Sequence, residues 1–333
     1  MSTQTARIRP FAPADYVALV AASNRTYPDY LWSLEEMRHQ DEQFDTSRFF
    51  KMRLIAEEDG AIVGSAEASH RPSRFDPDSY VFRLWVVPEW RRRGHGSALH
   101  DAVLAALRAR HGRVARGATK ESMADGTAFL QKRGWMELKR DWESRLTVAG
   151  FDFARFAGAD ERIAQQGIRI STYADELARE SDTPRKAFEL IDVCRRDVPA
   201  TDAPTPISFE QWRADWVDAP GFLADGFFVA IDRDGRWLGV SNLEKSLGDK
   251  SFIWQGFTGV RPEERGNGIA VALKLRTVEH AQRLGVDHIK TWNDQSNRPM
   301  LAINEAMGFE KQPAWISFEY LLPSSGPVQR RSE

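Results

Sequence analysis

The segment TGVRPEERGNGIAVALKLRTVEHAQRLG, residues 258–285, joins a strand-like run to a long amphipathic run through the turn Arg-Gly-Asn-Gly. The segment LWVVPEWRRRGHGSALHDAVLAALRARHG, residues 84–112, repeats this order. An offset of 174 residues takes Gly94 to Gly268, and it holds without a gap over roughly fifty residues of each copy. A repeat of this length exceeds solenoid periods and indicates a duplicated domain.

The pattern around each copy predicts the same set of elements. Asp-Gly pairs at 59–60 and 234–235 each join two strand-like runs, which is a strong hairpin signal. A third strand precedes each glycine loop, and a helix, a short strand and a second helix follow it. We therefore expect an α/β (α+β) fold of two tandem domains, 1–150 and 151–333. Each should hold a mixed, mostly antiparallel sheet flanked by helices, with a connecting helix within residues 148–167.

Composition excludes several classes of protein. A length of 333 residues favours two domains, and 42% hydrophobic with 28% charged residues is typical of a soluble globular protein. The net charge of −2 gives no overall attraction to nucleic acid or an anionic membrane, and no apolar run approaches the roughly 18 residues of a membrane span. A single cysteine, Cys194, excludes an intramolecular disulfide, and we interpret it as a buried, idle thiol. We expect a cytoplasmic protein without a metal site.

The glycine loops suit a phosphate group. The first turn of a helix leaves backbone N–H groups without partners, and the helix dipole adds partial positive charge there. Glycine lets this backbone approach a bulky anion, so a phosphate or pyrophosphate is the expected ligand. Arg91, Arg92 and Arg93 add charge to the first loop, and Arg265 adds it to the second. The structural alternative is a glycine turn that begins a surface helix.

Two better-known phosphate loops do not match these copies. The fingerprint Gly-x-Gly-x-x-Gly requires a third glycine that neither copy has, and Gly-x4-Gly-Lys-Ser/Thr is absent. A nucleotide-binding protein that uses the loops for ATP phosphates is therefore disfavoured.

The runs VVPEWRRRGHGSAL and GVRPEERGNGIAVAL resemble the acyl-CoA-binding motif of the GCN5-related N-acetyltransferase (GNAT) superfamily. The run TWNDQSNRPMLAINEAMGF resembles the adjoining motif of that superfamily. The resemblance covers nearly the whole chain as two tandem domains. It implies a splayed central strand pair in each domain, acetyl-CoA (coenzyme A) as co-substrate and no metal.

The resemblance also implies positions for the cofactor. In the superfamily the loop N–H groups bind the CoA pyrophosphate, and the preceding strand binds the pantetheine arm. The implied cofactor-binding residues are Trp85, Val86, Val87, Arg92, Arg93, Gly94, His95, Gly96 and Ser97 in the first copy, and Gly259, Val260, Arg261, Gly266, Asn267, Gly268, Ile269, Ala270, Asn293 and Asn297 in the second. His95 is either a phosphate contact or a solvated residue at the helix start. The first copy departs from the pattern, because Thr119 and Met123 replace the two asparagines.

Acetyl transfer to an amine requires a base, since an alkyl ammonium has a pKa of about 10. Neither strand directly before a loop carries a carboxylate, which leaves Glu67 and Glu244 on the preceding strands as candidate bases. A strand glutamate in an ion pair is the alternative for each. Many GNAT enzymes have a tyrosine acid in the last helix, where this chain has Leu130 and Asn304. Asn304 can hydrogen-bond the sulfur without protonating it, or it can face solvent.

The leading hypothesis is an acetyl-CoA-dependent N-acetyltransferase. It would transfer an acetyl group to a primary amine of a small-molecule acceptor by direct attack in a ternary complex. The second half is favoured for chemistry because it keeps Asn293, Asn297 and Asn304. The alternative is an acyl-CoA-binding sensor or a catalytically inactive pseudo-enzyme, which the missing tyrosine favours. We expect a monomer or homodimer that binds no nucleic acid or membrane. The tryptophans between Trp212 and Trp315 are interpreted as packing or as an aromatic-walled acceptor pocket.

Overall fold

The computed structural model describes residues 7–199, 202 and 204–323. The strands are β1 Arg7–Pro10, β2 Lys51–Glu58, β3 Ala61–Ser69, β4 Ser79–Val86, β5 Val114–Lys120, β6 Met136–Thr147, β7 Arg169–Thr172, β8 Phe222–Ile231, β9 Trp237–Lys245, β10 Phe252–Val260, β11 His288–Asp294, β12 Glu310–Lys311 and β13 Trp315–Leu321. The α-helices are α1 Tyr16–Thr26, α2 Leu34–Glu42, α3 His95–Ala109, α4 Ala124–Gln131, α5 Ala159–Gln165, α6 Tyr173–Arg179, α7 Thr183–Arg195, α8 Phe209–Trp216, α9 Ile269–Leu284 and α10 Arg298–Met307. Short 3-10 helices occupy Pro13–Asp15, Pro72–Arg74, Pro88–Trp90, Phe153–Phe156 and Pro262–Glu264.

By their contacts, these residues form two compact units. Unit 1 comprises the described residues of Met1–Tyr30, Phe44–Arg140 and Trp315–Glu333. Unit 2 comprises Leu31–Gln43 and the described residues of Asp141–Ala314. The units therefore do not coincide with consecutive halves of the chain, and the domain boundary at residue 150 stays a prediction.

The sheet of unit 1 has the strand order β1-β2-β3-β4-β5-β13. All neighbours are antiparallel except β4 and β5, which are parallel. Helix α3 packs on this sheet, and its residues Leu99, Val103 and Leu107 are fully buried. The last strand, β13, adds Ile316 and Phe318 to the same core.

The sheet of unit 2 has the order β7-β8-β9-β10-β11-β6, and only β10 and β11 are parallel. The part of β6 in this unit begins at Asp141, and β12 pairs with it. Helix α9 packs on one face through residues such as Leu273 and Val278. The opposite face carries α7 and α8, whose Leu190 and Trp212 lie in one core with Val240 of β9. These two units confirm the predicted fold class.

The parallel strand pair diverges in each unit after three residue pairs. Residues 79–81 of β4 pair with 114–116 of β5, and residues 252–254 of β10 pair with 288–290 of β11. Among the described residues, β4 and β5 do not pair beyond these positions, and neither do β10 and β11. The splay implied by the family resemblance is therefore present in both units. None of the helices in the described residues has the length and apolar character needed to cross a membrane.

Candidate active site

The two glycine loops have the same backbone geometry. Gly94 and Gly268 are the residues that precede α3 and α9, and both are left-handed, with φ of 93° and 86°. An L-residue with a side chain rarely adopts this conformation, which explains the glycine at each position. The backbone N–H groups of the first helical turn follow directly after each glycine. Both loops therefore present the donor arrangement that suits an anion.

The first arginine of each loop has a structural role. Arg91 Nε donates to Val86 O at 3.1 Å, and Arg265 Nε donates to Val260 O at 3.1 Å. Arg265 also pairs with Asp197 at 2.8 Å. The guanidinium of Arg265 thus joins the loop to the preceding strand, and a carboxylate lies beside it. Its expected contribution of charge to a phosphate at the second loop stays a prediction.

An open cleft of about 540 Å³ lies along the loop and splay of unit 1. Its lining includes six of the predicted cofactor residues, Trp85, Val86, Arg92, Gly94, Gly96 and Ser97. Arg92 has φ of 64°, the conformation that the equivalent Gly266 adopts with φ of 81°. An arginine held in this disfavoured conformation at the mouth of a cleft is a feature of functional sites.

Three other predicted residues of the first copy do not line this cleft. Val87 is fully buried. Arg93 lies over the ring of Trp90 and 3.7 Å from Glu58. His95 is only 2% exposed and places Nε2 2.9 Å from Glu58, so it is neither solvated nor directed to a phosphate.

Glu67, the candidate base of unit 1, is an ion-paired strand residue. Its carboxylate lies 2.6 Å from Arg53 and 3.2 Å from Arg83, and its side chain is 9% exposed. Both oxygens of this carboxylate are engaged by guanidinium groups. The geometry therefore favours the structural alternative for Glu67.

Glu244, the candidate base of unit 2, lies beside an irregularity in β10. The register between β9 and β10 shifts between Gln255 and Thr258, which is a β-bulge. Asn242 spans the bulge: its Oδ1 accepts a hydrogen bond from Phe257 N at 2.8 Å, and its Nδ2 donates to Glu244 Oε1 at 2.9 Å.

A glycine at the bulge makes room for this carboxylate. A Cβ atom at Gly256 would collide with the side chains of Glu244 and Asn242. Burial raises the pKa of Glu244 above its usual value, and the hydrogen bond from Asn242 only partly opposes this. Glu244 therefore combines a fixed position next to the splay with increased basicity.

Asparagines occupy the α10 side of the splay in unit 2. Asn304 is 2% exposed, and its Nδ2 donates to Asn293 Oδ1 at 2.7 Å. The Oδ1 atom of Asn304 is buried without a hydrogen-bond partner among the described residues. Asn304 thus does not face solvent, and it presents an unused acceptor. Asn297 caps helix α10, because its side chain accepts a hydrogen bond from Met300 N in the first turn.

The remaining predicted residues of the second copy belong to the strand end and the loop. Arg261 Nε donates to Trp237 O at 2.7 Å, and Val260 and Ile269 are buried in the core. Gly259 lies against Cys194, whose Cβ is 2.8 Å from where a Cβ of Gly259 would be. Burial raises the pKa of the Cys194 thiol to about 11, which confirms a buried, unreactive thiol.

Aromatic side chains lie on the face that carries Glu244. Trp254 is the direct cross-strand partner of Glu244, so the two side chains share that face. The ring of Trp254 stacks on Trp292 at 4.2 Å, and Trp292 is 44% exposed. Trp216 of α8 meets Phe257 of the bulge edge-on. These contacts place aromatic rings along the part of unit 2 that carries Glu244 and the bulge.

Helix α2 also belongs to this side of unit 2. Glu36 accepts a hydrogen bond from Leu247 N at 3.2 Å, in the turn that follows β9. His39 Nε2 lies 3.3 Å from Ala214 O of α8. A helix from the beginning of the chain therefore packs on the turn that leads from Glu244 to Trp254.

Sequence reasoning missed the residues that position the candidates. Asn242 is two residues before Glu244 and therefore on the same strand face, a signal that could have indicated it. Arg133, which donates to Ser97 at 2.6 Å and lines the cleft of unit 1, had no such signal. Within the part of the chain that the structure describes, no three His, Cys, Asp or Glu side chains group as metal ligands.

Comparison with known proteins agrees with this geometry. The sequence profile of the Acetyltransferase (GNAT) family matches residues 17–135 and 188–309. The chain belongs to the GNAT acetyltransferase family. Each match contains one glycine loop and one splayed strand pair, so the duplication seen in the sequence is a tandem of GNAT domains. The protein is an acetyltransferase.

Its relatives include mycothiol acetyltransferases. That of Thermobifida fusca is 30% identical over 278 residues, which cover 79% of this chain and 80% of the relative. That of Saccharomonospora viridis is 28% identical over 258 residues, covering 75% and 76%.

Solved structures share the tandem fold. A tandem GNAT protein from the clavulanic acid biosynthesis pathway superposes with a TM-score of 0.73 at 18% identity, covering 97% of this chain and all of the other. A GCN5-related N-acetyltransferase from Sphaerobacter thermophilus gives 0.68 at 19% identity, covering 95% and 96%.

Proposed function

We propose that this GNAT protein transfers the acetyl group of acetyl-CoA to a primary amine of a small molecule, and that unit 2 carries the chemistry. The observation that supports this most strongly is the Glu244 carboxylate, which is fixed beside the β10 bulge with a raised pKa. The equivalent face of unit 1 offers Glu67, which two arginines neutralise. Among the described residues, unit 2 thus combines a glycine loop with a carboxylate of raised pKa near the splay, and unit 1 does not.

Glu244 serves as the general base in this proposal. An amine acceptor arrives mainly as an ammonium ion, with a pKa of about 10, and must lose a proton before its lone pair can attack. A carboxylate whose pKa burial has raised accepts that proton more readily than an exposed one. Asn242 holds Glu244 Oε1 and so fixes the direction of the base.

The splay of β10 and β11 receives the acyl end of the co-substrate. The strands stop pairing after Trp254 and Lys290, which leaves backbone groups facing the gap. A backbone N–H there would stabilise the charge that develops on the thioester oxygen. The loop at Gly268 and the first turn of α9 would hold the pyrophosphate, as the N–H groups of a helix start are suited to do.

The amine nitrogen attacks the thioester carbon directly, the nitrogen releases its second proton to solvent, the carbon–sulfur bond breaks, and the thiolate leaves. Both substrates are bound together, because Cys194 is too weak a nucleophile to carry the acetyl group. Asn304 has no acidic proton, so the thiolate takes its proton from solvent. A thiol of pKa about 8.5 is a good enough leaving group for that route near neutral pH.

The acceptor site lies on the aromatic face of unit 2. Trp254 is the cross-strand partner of Glu244 and stacks on the exposed Trp292, and α2 packs on the neighbouring turn. The relatives named mycothiol acetyltransferase make the acceptor of those enzymes the first compound to test. The experiment incubates the chain with acetyl-CoA and that acceptor, beside a panel of primary amines, and detects acetylated product by mass spectrometry. Absence of product with every amine, together with absence of acetyl-CoA binding by calorimetry, would reject the proposal.

Unit 1 has a second candidate function as an acyl-CoA-binding unit without turnover. Its cleft of about 540 Å³ follows the loop and splay, with Arg92 at the mouth. Its candidate base is neutralised, and Leu130 stands where many family members have a tyrosine. Calorimetry that finds two acetyl-CoA sites per chain would support this role, and one site that persists in a Gly94→Trp variant would exclude it.

A further inference from the structure

The segment that follows β6 packs on the glycine loop of unit 2. Ile163 of α5 is buried in the core that contains Ile269 at the start of α9. Asp160 of α5 pairs with Arg276 of α9 at 2.5 Å. Gln166 donates to Asn267 O, within the glycine loop, at 3.2 Å. Three contacts thus fix α5 against the beginning of α9.

This packing places Arg162 over the loop. Its Cδ and Nη1 atoms are 3.6 and 3.9 Å from where a Cβ of Gly268 would be. The side chain is exposed, and its guanidinium makes no hydrogen bond or ion pair to another described residue. Arg155 lies on the same segment and donates to Ala306 O of α10 at 3.0 Å. The connecting segment therefore brings two positive charges to the α9 and α10 side of unit 2.

In unit 1, the positively charged side chains near the glycine loop belong to the repeated domain and not to a connecting segment. Arg92, Lys132 and Arg133 line its cleft. The offset of 174 residues places Gly266, Ala306 and Met307 at those positions in unit 2. Arg91 also lines that cleft, and its equivalent Arg265 is the one cation of these four positions that the second copy keeps; Arg265 is paired with Asp197. In unit 1, by contrast, nothing lies within 4 Å of a Cβ placed on Gly94.

We propose that Arg162 binds the pyrophosphate of acetyl-CoA in unit 2 and replaces the loop arginine that the second copy lacks. This inference rests on the proposed function, because it assigns a further residue to the same co-substrate site. The pyrophosphate is favoured over the 3′-phosphate because Arg162 lies at Gly268, where the N–H groups of the first turn of α9 are exposed. A planar guanidinium suits a bidentate contact with phosphate oxygens, and Arg162 has no competing carboxylate partner among the described residues.

The test measures acetyl-CoA binding by calorimetry in a Gly94→Trp background, which blocks the loop of unit 1. Arg162→Gln should weaken acetyl-CoA binding by about 10-fold, in line with loss of a charged hydrogen bond, and should reduce the salt dependence of the affinity. Arg162→Lys should recover part of the affinity. Arg283→Gln is the matched control, because it removes the same charge from the exposed last turn of α9.

Truncated ligands identify the group that Arg162 contacts. The effect of Arg162→Gln should persist with 3′-dephospho-acetyl-CoA and vanish with acetyl-pantetheine, which lacks the pyrophosphate as well as the 3′-phosphoadenosine. An effect lost with the 3′-dephospho compound would overturn the pyrophosphate assignment. Unchanged or tighter binding in Arg162→Gln would overturn the inference entirely, since Arg162 would then merely cover the loop. Failure of the Gly94→Trp parent to bind acetyl-CoA would instead reject unit 2 as the proposed co-substrate site.

Discussion

At the scale of single residues, Glu67 and Glu244 differ in the groups that surround their carboxylates. Glu67 is neutralised by Arg53 and Arg83, whereas Glu244 receives one hydrogen bond from a neutral amide. The strand sequences around them do not distinguish these cases. Their different environments come from the neighbouring strand. Glu67 lies opposite Arg83, whereas Glu244 lies opposite Trp254, next to the β10 bulge.

The change Glu244→Gln should lower kcat by about 10²- to 10⁴-fold, because the general base is lost while the shape of the side chain is kept. The KM for acetyl-CoA should change little. Steady-state kinetics with the best amine of the panel measures both. Glu67→Gln is the matched control, and it should retain kcat while lowering the unfolding temperature, since the buried ion pair with Arg53 would be lost. Equal losses of kcat in both variants would argue against a specific role for Glu244.

The pH dependence of Glu244 has a definite sign. Because burial raises its pKa in the folded state, this carboxyl contributes stability below its unfolded pKa of about 4.3, and that contribution is lost as pH rises through the folded pKa. Activity should rise with pH through the same raised pKa. Glu244→Gln should abolish this acidic limb and unfold at the same temperature as wild type, or higher, at pH 7.5. A variant that is inactive because it unfolds earlier would contradict the catalytic assignment.

Lys274 is a buried base at the position where α3 of unit 1 has His100. Its Nζ lies 4.8 Å from the centre of the Phe309 ring, and burial lowers its pKa to about 7. The unfolded chain therefore binds more protons between pH 7 and about 10.4, so this group makes stability rise with pH in that window. Thermal unfolding of Lys274→Met should lack this rise and show a higher unfolding temperature than wild type at pH 7. The exposed Lys250→Gln should keep the rise, and a rise that persisted in Lys274→Met would show that Lys274 stays charged.

At the scale of elements, local signals predicted most helices and strands. The Asp-Gly hairpins and the helices that begin after Gly94 and Gly268 depend on neighbouring residues only, and the structure has them as expected. The β10 bulge was not predictable, because it is defined by its register against β9. The burial of His95 against Glu58 was missed for the same reason: it depends on a strand distant in sequence.

Non-local pairing also decides where the last strand lies. Residues 315–321 of β13 pair with β5 of unit 1 over their whole length, although they follow the second repeat in sequence. A strand in which apolar and polar residues alternate does not indicate, from its own sequence, which other strand it pairs with. The glycine loops and the strands before them therefore follow from local patterns, while the residues that surround the candidate site depend on which strands pair.

At the scale of the whole molecule, the chain builds each unit from separated segments. Leu31–Gln43 belongs to unit 2 with residues far along the chain, and the segment from Trp315 belongs to unit 1. The two repeats consequently cannot be isolated by a single cut at residue 150 without removing strand β13 from the core of unit 1.

The change Phe318→Ala should destabilise unit 1 by about 3–5 kcal/mol, as for other fully buried phenylalanines. Hydrogen exchange should show loss of protection in β5, the strand that β13 pairs with. Leu321→Ala on the same strand is the control, because that side chain is 56% exposed and its loss should cost less than about 1 kcal/mol. Unchanged protection of β5 in Phe318→Ala would contradict the assignment of β13 to the core of unit 1.

The most direct test of the account compares turnover in Gly94→Trp and Gly268→Trp. Both glycines are left-handed, so each substitution imposes the same backbone strain and blocks one loop. The measurement is the steady-state rate of acetyl transfer to the best amine of the panel, with thermal unfolding to confirm that both variants fold. We predict that Gly268→Trp abolishes turnover and that Gly94→Trp retains it. Loss of turnover in Gly94→Trp alone would place the chemistry in unit 1 and contradict the role assigned to Glu244.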